Sequence, residues 1–154
     1  MIQVAIIGHE LKAQGDGKSF HPTYEFIPQI VKRAESLTGK TIDFCHQQAI
    51  DEFKVSDIEG LVTEMLATGP DVLHYANYRD YLTSRMKDPD KRNFDATYIM
   101  TAQRHSEHKL PILLTSSDPG AADIAHALQA SYLSTFNVDP KRYIAFLKEL
   151  TGKE

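Results

Sequence analysis

The sequence predicts a single doubly wound α/β domain over residues 1–154, with a parallel sheet that carries helices on both faces. Short apolar runs, several of them β-branched, alternate five times with amphipathic stretches, and such alternation requires a parallel sheet. Glycine and proline separate these stretches. The length of 154 residues, with 42% apolar and 25% charged residues, suits one hydrophobic core.

The first strand and helix are predicted from the change in apolar period. Val4–Ile7 is a β-branched run that ends at Gly8, which is typical of a buried parallel strand. Over Thr23–Leu37, apolar residues recur at three- and four-residue steps, and Gly39 follows as a helix-ending glycine. Thr41–Cys45 is predicted to be the second strand.

The middle of the chain contains a helix, a strand and a polar excursion. Ser56 and Glu59 have the spacing of a capping box, so we expect Ser56 to cap the second helix. Asp71–Ala76 follows as the third strand. The residues at about 77–92 are polar and form an excursion before the next helical pattern.

The last third completes the alternation. Phe94–His105 is predicted to be helical, Leu110–Thr115 to be the fourth strand and Ala121–Leu128 to be the next helix. Ser131–Ser134 is predicted to be a short fifth strand. Asp139 and Pro140 are a favourable N-cap and first helical residue, so they predict the start of the last helix.

Composition and charge exclude several classes of function. With 17 Lys+Arg and 21 Asp+Glu, the net charge of −4 argues against a nucleic-acid surface. No apolar run approaches the length of a membrane helix, and the N-terminal residues do not resemble a secretion signal. A lone Cys45 excludes an internal disulfide and a cysteine-based zinc site. We therefore expect a cytoplasmic protein without membrane contact, metal or nucleic acid.

Polar residues after the strands predict where a ligand would bind. In a doubly wound sheet the ligand lies beyond the carboxyl ends of the strands. His9 and Glu10 follow the first strand, and His74 lies in the third. A histidine after a first parallel strand can act as a phosphoryl acceptor or general acid–base. One hypothesis is therefore a small cytoplasmic enzyme or binding protein for an anionic, phosphorylated metabolite that uses His9, Glu10 and His74.

From Leu110 onward the chain resembles the receiver domain of bacterial response regulators. The resemblance is carried by an apolar strand that ends in Thr115, Ser116 and Ser117, then by Tyr132–Thr135, and then by the amphipathic helix after Asp139–Pro140. It implies a flavodoxin-like (βα)5 fold. It also implies that Thr115 is the hydroxyl that responds to phosphorylation and that Tyr132 is the aromatic switch residue.

The phosphorylation chemistry of that family is missing here. A receiver needs an acceptor carboxylate at the end of the third strand, and this position falls near Ala76 and Asn77. The two acids that hold Mg²⁺ after the first strand are replaced by Gly8 and His9, which leaves only Glu10. Because this acidic pair is missing, we expect no Mg²⁺ or other cofactor. Asp80 would be the phosphoryl acceptor only if the chain is aligned with receiver domains in a shifted register.

The resemblance to receivers and the missing phosphorylation residues together predict a degenerate receiver. Such a domain would be a phosphorylation-independent regulatory domain that binds other proteins. Its ligand or switch residues are predicted to be Thr115, Ser116, Tyr132, Asn77 and Asp80, with no catalytic residue assigned. A small anionic ligand and a homodimer are both left open by the sequence.

Overall fold

Strands and helices alternate along the part of the chain that the structure describes. This structure is a computed structural model, and it describes residues 1–9, 23–39, 42–50, 55–77, 90–116, 119–134 and 138–153. Within these residues the strands are β1 Ile2–His9, β2 Ile42–Ile50, β3 Val72–Asn77, β4 Ile112–Ser116 and β5 Ser131–Ser134. The helices are α1 Thr23–Thr38, α2 Ile58–Ala67, α3 Asp90–His105, α4 Pro119–Ala127 and α5 Pro140–Thr151.

The five strands form one parallel sheet in the order β2-β1-β3-β4-β5. This is the flavodoxin-like order, so the predicted fold class is confirmed. From β1 the chain winds towards one edge of the sheet to form β2, and from β3 it winds towards the other edge. The winding direction therefore reverses between β1 and β3, the place where open α/β sheets bind ligands.

Two apolar cores lie on the two faces of the sheet. Strand β1 shows the alternation, because Val4 and Ile6 pack beneath α1 and α5 whereas Ala5 and Ile7 pack beneath α2, α3 and α4. All four side chains are fully buried. A strand covered by helices on both faces buries side chains on both of them, which explains why residues 4–7 of β1 are a continuous apolar run.

The helix caps confirm one sequence prediction and correct another. The Asp139 side chain accepts a hydrogen bond of 2.9 Å from the backbone N–H of Arg142, and Pro140 begins α5 as predicted. The prediction of a capping box with Ser56 at the N-cap is wrong. Val55–Asp57 forms a 3-10 turn, so Ser56 lies inside this turn, and α2 begins at Ile58 with Asp57 at its N-cap. The Asp57 side chain makes no capping hydrogen bond.

Strand β2 is longer than the sequence predicted and contains an irregularity. It extends to Ile50 rather than ending at Cys45, because its second half continues to pair with β1. The register moves from Gln3–Asp43 to Ala5–His46, so β2 carries one extra residue at this point. This is a β-bulge, which bends and twists the strand that contains it.

The predicted excursion at 77–92 is bounded by regular structure at both ends. Asn77 is the last residue of β3 and Asp90 the first of α3, whereas residues 78–89 lie outside the described part of the chain. Helix α3 therefore begins four residues before the predicted Phe94, since the polar residues of its first turn hide the apolar period. Among the described helices, none has the length and apolarity needed to cross a bilayer.

The two N-caps predict different effects of removing a carboxylate. Asp139→Ala removes a capping hydrogen bond, so we expect it to lower the free energy of unfolding by about 1 kcal/mol. Asp57→Ala is the matched control, because Asp57 has the same helix position without that bond, and we expect a loss of only a few tenths of a kcal/mol. Urea unfolding of both variants measures the difference, and equal losses would contradict this account of the α5 cap.

Candidate functional site

Two successive rows of paired residues lie at the carboxyl edge of the sheet, and most residues of the second row are polar. In the first row, Gly8 pairs with Ala76, Ala76 with Thr115, and Thr115 with Leu133. The next row contains His9 on β1, Asn77 on β3, Ser116 on β4 and Ser134 on β5. The predicted residues His9, Asn77, Thr115 and Ser116 therefore lie at neighbouring positions of one edge.

The structure describes these predicted residues to different extents. Only the backbone of His9 and Asn77 belongs to the described part, and these two residues end the strands on either side of the winding reversal. Glu10 and Asp80 lie outside the described residues. Ser116 is fully buried at the end of β4. Strand register therefore defines which residues lie at this edge. The side chains with described contacts belong to β3, β4, β5 and α5.

His74 lies at the centre of a buried hydrogen-bond network. It occupies the middle of β3, and its Nδ1 lies 2.8 Å from the Tyr143 hydroxyl on α5. Its Nε2 forms a second hydrogen bond with the Thr115 hydroxyl on β4. All three residues are completely shielded from solvent. His74 is therefore not near the edge but inside the α1/α5 core, where it joins two strands and one helix.

Burial keeps this network uncharged. It lowers the pKa of His74 to about 3, from an ordinary value of 6.5, and it raises the pKa of Tyr143 far above its usual range. A neutral imidazole has one N–H donor and one acceptor nitrogen. One of the two neighbouring hydroxyls therefore donates to the ring while the other accepts from it. This arrangement satisfies both ring nitrogens and favours a structural role for His74 over proton transfer with a substrate.

Tyr132, the predicted aromatic switch residue, is also held by an internal partner. Its hydroxyl donates a hydrogen bond of 2.8 Å to the backbone carbonyl of Ser116. Tyr132 is half-buried on β5, where its ring packs against the core beneath α2, α3 and α4. The resemblance therefore selected two residues, Thr115 and Tyr132, whose hydroxyls both make hydrogen bonds close to the end of β4.

Tyr143 is the member of the network that sequence reasoning missed. It lies on the inner face of α5, and its ring is fully buried. Its hydroxyl, however, is the partner of His74. A histidine within an otherwise apolar buried strand was the signal, because a polar ring without water must find partners. The sequence could not identify those partners, since they lie 41 and 69 residues further along the chain.

Two other polar groups have structural partners. The Cys45 thiol lies 3.3 Å from the Thr68 hydroxyl and packs against the core beneath α2, α3 and α4. On the surface, Glu59 of α2 bonds to both Arg104 and His105 at the end of α3. Exposed ion pairs of this kind contribute little stability. Both groups connect secondary structure elements and neither forms a cleft.

No family model and no curated protein matches this chain. Over the described residues there is also no group of three or more histidine, cysteine, aspartate or glutamate side chains arranged to hold a metal ion. The chemistry of the chain is therefore inferred from the carboxyl edge and from the network around His74. The features that bear on function are neutral hydroxyls and an uncharged imidazole, together with two rows at the carboxyl edge that contain no acid among the described residues.

The depressed pKa of His74 predicts how stability depends on pH. Above about pH 6.5 the ring is neutral in the folded and the unfolded chain, so it adds no pH dependence. Below that pH only the unfolded chain takes up the proton, and stability falls by about 1.4 kcal/mol per pH unit down to the folded-state pKa. We expect the wild type to lose more stability than His74→Gln between about pH 6.5 and pH 4.5.

Urea unfolding across this pH range measures the difference, and carboxylates that titrate in both proteins cancel in the comparison. His126→Gln is the matched control, because His126 is exposed on α4, and we expect it to keep the wild-type slope. If the slope of His74→Gln equals that of the wild type, His74 is not a neutral buried group.

Proposed function

We propose that this chain is a regulatory domain that binds other proteins on a receiver-like scaffold and works without phosphorylation. The flavodoxin-like strand order supports the scaffold, and the receiver-like stretch from Leu110 onward supports the family. The proposed function depends on which residues occupy the positions where a receiver would carry out phosphoryl transfer.

The observation that carries the proposal is that no acid stands among the described residues of the two rows at the ends of β1 and β3, Glu10 and Asp80 lying outside the described part of the chain. Phosphoryl transfer to an aspartate needs a carboxylate beside the Thr115 hydroxyl and further carboxylates for Mg²⁺. The residue in register with Thr115 is Ala76, and the residue in register with Ala76 is Gly8. The following residues, His9 and Asn77, are not acids either. These two rows therefore offer Mg²⁺ no charged ligand.

The partners of the two switch residues support the same conclusion. In a working receiver, the hydroxyl at the Thr115 position responds to a phosphoryl group. Here that hydroxyl bonds to His74, and the Tyr132 hydroxyl bonds to the Ser116 carbonyl. Both side chains thus have protein partners in the absence of phosphate. Neither hydroxyl therefore needs a phosphoryl group as its hydrogen-bond partner.

The family analogy assigns the partner surface to α4, β5 and α5. This surface carries exposed polar residues of both charges, among them Asp123 and His126 on α4 and Arg142 and Glu149 on α5. A mixed and hydrated surface suits a reversible contact with another protein better than a permanent apolar interface.

The absence of acids predicts that the protein does not accept a phosphoryl group. After incubation with acetyl phosphate and Mg²⁺, we expect the intact mass to stay unchanged, while an active receiver domain in a parallel reaction gains one phosphoryl group. Asp80→Asn and His9→Ala are treated in the same way, because these residues are the two remaining candidate acceptors.

A stable gain that disappears in Asp80→Asn would overturn the proposal, since the protein would then be a true receiver with a shifted acceptor. A gain that disappears in His9→Ala would overturn it in favour of phosphoryl-transfer chemistry at His9. No gain in any of the three proteins supports phosphorylation-independent action.

The partner surface predicts where a second protein is contacted. A photo-crosslinking amino acid is placed at Asp123 or Arg142, with Glu64 on α2 as the matched exposed control on another helix. In cells of the source organism, we expect the same protein adduct at both test positions and not at Glu64. Adducts confined to Glu64, or found at none of the three positions, would contradict the proposed surface.

A second candidate function is a small enzyme or binding protein for an anionic metabolite. The polar row of His9, Asn77, Ser116 and Ser134 favours it, because His9 and Asn77 lie at the winding reversal between β1 and β3. We propose to titrate the ¹⁵N-labelled protein with a panel of phosphorylated metabolites. Changes in amide chemical shift that centre on these positions and are lost in His9→Ala would support this function. The absence of any change would contradict it.

A further inference from the structure

We propose that Thr115, His74 and Tyr143 form a relay that couples the carboxyl end of β4 to the packing of α5. A change at the sheet edge would thereby reach the surface of the last helix. The proposal rests on the proposed function in one respect, namely that α5 belongs to the partner surface. The coupling itself depends only on the buried contacts among these three side chains.

The three groups connect parts of the fold that lie far apart in the sequence. Thr115 is one residue before the end of β4, and His74 lies on the adjacent strand β3. Tyr143 is in the first turn of α5, and its N–H donates a hydrogen bond of 3.0 Å to the carbonyl of the N-cap residue Asp139. The His74 and Tyr143 rings also pack together, with their centroids 5.6 Å apart. The network therefore reaches from the candidate ligand edge to the beginning of the helix.

The hydrogen-bonding capacity of the ring makes the two ends interdependent. A neutral imidazole donates through one nitrogen and accepts through the other. If the Thr115 hydroxyl changes from acceptor to donor, the tautomer of His74 must change, and the Tyr143 hydroxyl must then reverse its own role. If Thr115 turns away altogether, Nε2 of His74 loses its bond in a place without solvent. A reversal of either hydroxyl's role therefore forces the other to reverse, and loss of Thr115 leaves a ring nitrogen without a partner.

Burial makes each of these changes costly. All three side chains are fully shielded from solvent, so water cannot replace a lost partner. The apolar neighbours on the α1/α5 face, such as Leu113 and Leu147, offer no hydrogen bond. A ring left with one bond therefore has to move or draw Tyr143 with it, and Tyr143 is held in the first turn of α5. The expected response is a local loosening of this helix.

Amide hydrogen exchange of the full chain tests the relay. Thr115→Val removes the hydroxyl while keeping the shape of the side chain, and Thr115→Ser keeps the hydroxyl. The control is Thr101→Val, because Thr101 is a buried threonine on α3. In Thr115→Val we expect amides of α5 to exchange about tenfold faster, in line with the loss of one buried hydrogen bond. We expect amides of α2 to stay at wild-type rates, and Thr115→Ser and Thr101→Val to leave α5 unchanged.

Tyr143→Phe removes the other end of the relay and completes a double-mutant cycle. If the relay exists, Thr115→Val combined with Tyr143→Phe accelerates exchange in α5 by much less than the product of the two single effects. Independent, multiplying effects would overturn the relay. Equal acceleration in α2 and α5 would also overturn it, because Thr115 would then contribute only to global stability.

These outcomes are distinct from a failure of the proposed function. Phosphoryl transfer to Asp80, or crosslinks absent from α5, would remove the regulatory role without changing the exchange pattern. Equal acceleration of amide exchange in α2 and α5 would contradict the relay, and it would leave the phosphoryl-transfer result and the crosslinks unaffected.

Discussion

A strand covered by helices on both faces provides no water for the polar groups of its side chains, and β3 is such a strand. From Val72 to Ala76 every side chain is buried, and His74 places a polar imidazole ring among them. The fold can tolerate this residue only if the ring stays neutral and both nitrogens have partners. Tyr143 on α5 and Thr115 on β4 supply them. The docking of the last helix, the conformation of Thr115 and the protonation of His74 therefore depend on one another.

This dependence changes the interpretation of the candidate residues. Thr115 and Tyr132 match the switch residues of receivers by resemblance, and His74 is one of the candidate residues of the alternative enzyme or binding-protein hypothesis. The structure places His74 and Thr115 in the same network, away from solvent. The residue that the catalytic hypothesis needed is thus the one that holds the receiver-like hydroxyl in place. A catalytic role for His74 would need the core to open, because its side chain is fully buried.

Much of the fold could be predicted from the sequence because its signals are local. Ser131–Ser134 has the predicted boundaries of β5, and Asp139 caps α5 as its side chain predicts. Where the prediction was wrong, a non-local interaction or a competing local geometry decided the outcome. Ser56 lies in a 3-10 turn rather than at a cap, and the second half of β2 is a strand because β1 pairs with it. The partners of His74 were equally invisible, since strand register and helix docking bring them together.

The bulge in β2 also bears on self-association. Strand β2 lies at one edge of the sheet and pairs only with β1 within the described residues. A long regular edge strand is a template for adding a strand from another molecule, which leads to extended sheets and aggregation. The extra residue between Asp43 and His46 breaks the regular spacing of outward-facing backbone groups and increases the local twist. This makes β2 a less regular template for a strand of a second molecule than a straight edge strand of the same length would be.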